Sequence, residues 1–280
     1  MRNFTLKHLE DYRMYLINEE KSQSTIEKYL HDIKAFLGWL TVDAEFDKAD
    51  VLAYKEHLCQ TYAPASVNAA LSSLNSFFNF MEWYELRVKN IKIQRQVFAS
   101  AEKELTKAEY ERLLAAAARK NNRRLYLLMQ TICSTGIRVS ELRYVTVEAV
   151  ARGRAEIKCK GKHRIVFLPD QLCRLLRSYL KEQKIKTGSV FVTKNGTPLD
   201  RSNIWLDMKK LCKAAGVSDR KVFPHNLRHL FARTYYTIQK DIVRLADILG
   251  HSSVNTTRIY TMETGEIHRR QIQKLGLLRC

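Results

Sequence analysis

A chain of 280 residues has room for two domains, and a hydrophobic share of 45% excludes a disordered protein. Lys and Arg number 48 against 29 Asp and Glu, a formal net charge of +19, which selects a polyanionic partner: nucleic acid first, an anionic membrane surface second. No apolar run approaches the roughly 18 residues of a spanning helix, and the start "MRNFTLKHLEDYRMYL" holds no long apolar core of a signal peptide, so a cytoplasmic protein without membrane association is expected.

Residues 1–86 read as helices throughout. Leu6, Leu9, Tyr12 and Leu16 form one helical stripe. Ser24 and Glu27 have capping-box spacing ahead of Ile26, Tyr29, Leu30, Ile33, Phe36, Leu37 and Leu40, a second stripe. Val51, Tyr54 and Leu58 make a shorter one. Pro64 suits a helix first turn, and Val67, Ala70, Leu71, Leu74, Phe77, Phe78 and Met81 then mark one face. The expectation is a four-helix bundle whose aromatics form core rather than a base-stacking platform.

Residues 87–104 read as a basic linker. Its opening stretch "RVKNIKIQRQVFAS" carries Arg87, Lys89, Lys92 and Arg95 and no acid, which favours a strap against phosphates over an ordinary solvated connector.

The second domain is expected over 105–280. "TKAE" at Thr106 is another capping box. Helical patterns cover 106–118 and 123–134, two alternating runs flank Lys160, Gly161 and Lys162 as a hairpin, and helices resume near 171–184, 202–215, 226–239 and 241–249. The fold class is therefore mainly α with a small antiparallel β-sheet. Six cysteines are scattered without CxxC or Cys/His ligand spacing, so reduced thiols and no metal site are expected. No Walker A loop or GxGxxG is present, and no cofactor is expected.

Four pieces of this second domain carry chemistry. "STGIRVSEL" places Arg138 just after Gly136, "KGK" places Lys160 at a hairpin turn, "FPHNLRHLFA" sets His225 and Arg228 in the first turn of a helix, and "LGHSSVNTTRIY" holds His251 and Tyr260. Singly each has a plain reading: a surface arginine, a turn lysine, an N-terminal histidine with a salt-bridging arginine, a half-buried tyrosine. Together they suit phosphoryl transfer at a DNA phosphodiester. Guanidinium groups stabilise charge on the non-bridging oxygens, a tyrosine can be the nucleophile, and a lysine can protonate the departing sugar oxygen.

In order and spacing, these pieces resemble the signature of the tyrosine recombinases, the integrase family, over roughly residues 105–265. The length is similar to Xer-type and small mobile-element recombinases, and the N-terminal bundle resembles the family's SAM-like core-binding domain. The resemblance implies that Arg138 and Arg228 hold the scissile phosphate. It implies that His225 and His251 complete the pocket, with His225 handling the tyrosine proton. Lys160 would protonate the leaving 5′-oxygen, and Tyr260 would form a 3′-phosphotyrosyl link. The hairpin is one residue shorter than the usual Xer-like pattern, which leaves Lys162 as the other donor. Lys160 is favoured because Gly161 follows it, and Lys162 then serves DNA binding. Glu141 either orients Arg138 or is a plain surface residue.

The resemblance further implies double-stranded DNA with paired inverted-repeat core sites, a homo-tetramer on two sites, with or without a second recombinase or accessory protein, and work at the bacterial nucleoid. The tail 263–280, with Ile267, Ile272, Leu275, Leu277 and Leu278, would dock on a neighbouring protomer or pack on its own domain. Rival readings are a non-catalytic DNA-binding regulator on the same scaffold, a type IB topoisomerase and a basic RNA-binding protein.

Overall fold

A computed structural model of the chain describes residues 2, 4–40, 45–93, 101–159, 162–260 and 272–275. The chain divides into two units, Met1–Arg95 and Gln96–Cys280. Among the described residues no helix is long and apolar enough to cross a membrane.

The first unit holds α1 (Leu6–Asn18), α2 (Gln23–Trp39), α3 (Lys48–Thr61) and α4 (Pro64–Phe80). The stripes read from sequence turn inward: Tyr12, Leu16, Ile33, Phe36, Val51, Leu71, Leu74, Phe77 and Phe78 are all buried, joined by Phe46 and Trp83. Phe36, Phe46 and Phe78 meet edge-on or tilted, the geometry in which aromatic quadrupoles attract. Pro64 opens α4, where its missing N–H costs nothing. The start of α2 differs from the predicted capping box. Ser22 is the N-cap, and Glu27 instead accepts a hydrogen bond from Gln23 Nε2 at 2.9 Å one turn back. Asp32 is a buried acid that the stripes did not mark; Lys28 Nζ (2.7 Å) and Ser73 Oγ (2.6 Å) satisfy its carboxylate.

Two asparagines on α4 hold the segment that leaves this unit. Asn75 accepts from Val88 N at 2.9 Å and donates to Val88 O at 2.8 Å. Asn68, two helical turns earlier, pairs with Ile91 N (2.7 Å) and O (2.9 Å) in the same way. Each amide therefore acts as one rung of a β-ladder. Val88 is buried, while Arg87, Lys89 and Lys92 are exposed. Arg95 lies outside the described residues.

The second unit runs α5 (Lys107–Arg119), α6 (Arg123–Thr135), α7 (Val147–Arg152), the hairpin β1 (Arg154–Cys159) and β2 (Lys162–Phe167), then α8 (Asp170–Glu182), α9 (Arg201–Lys209), α10 (Cys212–Ala215), α11 (Pro224–Gln239), α12 (Ile242–Leu249) and α13 (Val254–Thr257). The Thr106 capping box forms as predicted, with Glu109 accepting from Thr106 N at 2.8 Å. The single helix expected over 202–215 is two helices, because the chain turns at Lys210–Leu211 and α10 restarts at Cys212. The strands are antiparallel with Cys159 opposite Lys162, so Lys162 opens β2, and Lys160 and Gly161 lie outside the described residues. Helix α11 packs against α6 over a core that includes Leu128, Met129, Ile132, Leu176, Phe191 and Leu227. Of the tail, Ile272 and Leu275 are exposed; Ile267, Leu277 and Leu278 lie outside the described residues.

Replacing Asn75 by Ala removes both hydrogen bonds to Val88 and strands a partly buried N–H. We expect a loss of about 1–3 kcal/mol, read as a lower urea midpoint for the first unit.

Candidate active site

The site is built on helix ends. Helix α6 stops at Gly136 and α12 at Gly250, both left-handed (φ 65° and 64°), a conformation that costs glycine little. Each stop leaves carbonyls without intrahelical partners. Arg228, the fifth residue of α11, is 1% exposed and drives its guanidinium between the two ends. Its Nη1 donates to Gly136 O at 2.5 Å, and its Nη2 donates to Leu249 O at 2.8 Å. Burial, then repulsion from Arg138, pushes its pKa down to about 10, opposed by the nearby Tyr260 phenol, so Arg228 stays charged at neutral pH.

Arg138 caps the 3₁₀ turn Val139–Tyr144. Its Nη1 meets Glu141 Oε1 at 3.0 Å and its Nη2 donates to Gly250 O at 3.2 Å. Glu141 is not a surface residue: it is 6% exposed and also accepts from the Arg138 backbone N–H at 2.9 Å. Burial alone would raise its carboxyl, but the hydrogen bonds from Arg164 and Arg138 outweigh that and hold it below the usual carboxylate range.

Arg138, Arg228 and His225 line one cavity of about 550 Å³, together with Arg201 and Trp205 of α9. Partial desolvation, then the cations of Arg228, Arg138 and Arg201, lowers the pKa of His225. His251 accepts at Nε2 from Arg228 Nη2 (3.0 Å), because a guanidinium can only donate. The imidazole proton is thereby assigned to Nδ1, which faces Thr257 Oγ1 at 2.8 Å. Burial and the surrounding arginines lower the His251 pKa to about 4.

Tyr260 closes the last 3₁₀ turn, Arg258–Tyr260, and is 3% exposed. Its ring lies parallel to His251 at 6.0 Å and edge-on to His229 at 4.8 Å. Leu245, Leu249 and Ala232 pack beneath it. Tyr260 therefore stands beside Arg228 and inside an apolar cluster. Five of the six residues picked from sequence converge here: Arg138, His225, Arg228, His251 and Tyr260. Lys160 lies outside the described residues.

Sequence reasoning missed His229, Thr257, Arg201, Trp205 and Arg164. His229 follows directly on Arg228, and its ring packs on His225 at 4.7 Å. Arg164 had a readable signal: it shares inward parity on β2 with the buried Val166, so a cation was facing the core.

Residues 103–266 match the Phage integrase family and residues 9–85 its N-terminal SAM-like domain. The chain is 31% identical to tyrosine recombinase XerA of Thermococcus kodakarensis, over 96% of this chain and 95% of that one. A crystal structure of XerA recombinase is 27% identical with a TM-score of 0.54, covering 98% of this chain and 99% of that one. A lambda integrase tetramer bound to a Holliday junction shares the fold at 21% identity and a TM-score of 0.72, over 92% and 78% of the two chains. The chain belongs to the phage integrase family and is a site-specific tyrosine recombinase.

His229 (held to about 4 by burial and by the neighbouring His225 and Arg228) and His251 bind fewer protons folded than unfolded. An unfolded histidine titrates near about 6.5. Their contribution to stability is complete above that pH and is lost as pH falls toward 4. Calorimetry should show the melting temperature dropping between pH 6.5 and 4.5, with a shallower drop in His229→Gln.

Proposed function

We propose that Tyr260 is the nucleophile of a DNA strand exchange run by this cavity. Its Oη attacks the scissile phosphorus and forms a 3′-phosphotyrosyl bond while the P–O5′ bond breaks. Lys160 delivers the proton that the leaving 5′-oxygen needs. The 5′-hydroxyl of a partner strand then attacks the phosphotyrosine, re-forms the phosphodiester and frees Tyr260, so bond energy is conserved and no ATP is required. Arg138 and Arg228 hold the non-bridging oxygens, and His225 and His251 complete the pocket, with His225 handling the tyrosine proton. The observation that carries this reading is the convergence of two oriented guanidinium groups on one cavity with a tyrosine packed beside the buried one.

Residues 1–86 would form the core-binding domain, 87–104 the linker and 105–280 the catalytic domain with its oligomerisation tail. Arg87, Lys89, Lys92, Arg95 and Lys162 would contact DNA phosphates. The partner is duplex DNA with paired inverted-repeat core sites, brought together by a homo-tetramer through a Holliday junction. The likeness to a recombinase crystallised as a tetramer on such a junction supports this. The task would be integration and excision of a mobile element or resolution of chromosome dimers at the nucleoid.

The test is covalent trapping on labelled nicked duplexes from DNA flanking the gene. Wild type should give a denaturant-stable adduct that Tyr260→Phe lacks. An adduct in that variant, or none in wild type with any flanking DNA, overturns the assignment. Arg138→Ala should bind DNA within about threefold of wild type while cleaving roughly 10²–10³ more slowly. Binding should weaken steeply between 50 and 200 mM salt, as about six or more phosphate contacts require.

A further inference from the structure

Three consecutive carbonyls end α12, and each accepts from a different arginine. Ile248 O takes Arg164 Nη1 at 2.5 Å, Leu249 O takes Arg228 at 2.8 Å, and Gly250 O takes Arg138 at 3.2 Å. Two of these arginines line the cavity. Arg164 does not; it reaches the hub from β2 and also donates to Glu141 Oε2 at 2.5 Å. Glu141 thus bridges Arg164 and Arg138 through its two oxygens. The Arg164 side chain is 13% exposed and lies so close under Gly250 that a Cβ there would come 2.5 Å from its Cδ.

We propose that Arg164 is a positioning residue for the reaction: it aims the Arg138 fork and fixes the Gly250–His251 turn by filling one side of Glu141 and one carbonyl of α12. This rests on the recombinase reading above. The physical argument is one of competition. A buried carboxylate serving one guanidinium is free to swing toward it. The second guanidinium, on Oε2 beside the Arg138 backbone N–H, fixes the carboxylate plane and hence the direction in which Oε1 meets Arg138 Nη1. Lysine cannot replace it, since one ammonium on a flexible stem does not span Glu141 and Ile248 with a rigid fork.

The experiment measures single-turnover cleavage and DNA affinity on a nicked duplex that wild type cleaves, for Arg164→Gln and Arg164→Lys. Each is repeated with sulfur replacing the bridging 5′-oxygen. A thiol titrates near about 8.5 and leaves without a proton donor. Arg164→Gln should bind within about threefold of wild type and cleave about 100-fold more slowly, the scale of a misplacement near 1 Å. Arg164→Lys should fall at least tenfold. The sulfur substrate should rescue neither, because the defect lies at the phosphate and not at the leaving group.

Cleavage within about threefold of wild type overturns the proposal. Parallel loss of binding, or rescue by sulfur, also overturns it, the latter by assigning Arg164 to the proton donor. If Arg164→Gln does not fold, Arg164→Lys decides on the same criteria, and loss of the fold in both reduces the residue to a structural one. Failure of wild type to form an adduct would instead sink the recombinase reading, so the two failures are distinguishable.

Discussion

The buried guanidinium of Arg228 is the interaction on which the second unit depends. A charge at 1% exposure is costly unless it is fully paired. Its hydrogen-bond partners among the described residues are carbonyls, an imidazole and the Tyr260 phenol, not a carboxylate. The carbonyls belong to the C-terminal ends of α6 and α12, where partial negative charge collects and no intrahelical donor remains. Arg228 therefore satisfies two helix ends, and the helix ends keep Arg228 charged. Both ends need a left-handed stop, and each glycine is also crowded. A Cβ at Gly136 would come 2.5 Å from Phe231, and one at Gly250 as close to Arg164.

That pairing leaves a surplus of positive charge. Carbonyl dipoles orient an arginine without cancelling its charge, and Glu141 offers one negative charge to two arginines. What remains uncompensated faces the cavity, where a phosphodiester would supply the missing anion. The same field explains the histidines. His225, His229 and His251 are all held toward their neutral forms by burial and neighbouring cations. In its neutral form His251 uses both ring nitrogens, accepting from Arg228 at Nε2 and facing Thr257 Oγ1 with Nδ1. Tyr260 itself is packed on Leu245 and Leu249. Its ring is held by apolar contact and stacking, and its phenol by a hydrogen bond to Arg228.

Helices with a clear apolar stripe were legible in the sequence, because burial of one face enforces a 3.6-residue period whatever surrounds it. Tyr12, Phe36 and Phe77 became core for that reason. The Thr106 cap was legible because its chemistry is local, whereas the cap of α2 fell at Ser22, since several hydroxyls there compete for one helix start. The break between α9 and α10 was hidden, as no Pro or Gly marks Lys210–Leu211. In the site, residues of strong chemistry at recognisable spacing stood out. Arg164, His229 and Asp32 did not, because their importance lies in what burial brings against them.

The amino-acid sequence alone determined the class of chemistry: a large excess of cations, two arginines and two histidines in ordered pieces, and a tyrosine after them. These features are sums and spacings along one chain, so they survive without coordinates. Only the tertiary structure decided how they act. It made Glu141 a buried bridge rather than a surface acid, set the neutral tautomer of His251, buried Tyr260, and gathered three arginines on the last carbonyls of α12. Each of these depends on groups far apart in sequence meeting where water is excluded, and desolvation at such a meeting point is not encoded in any local pattern.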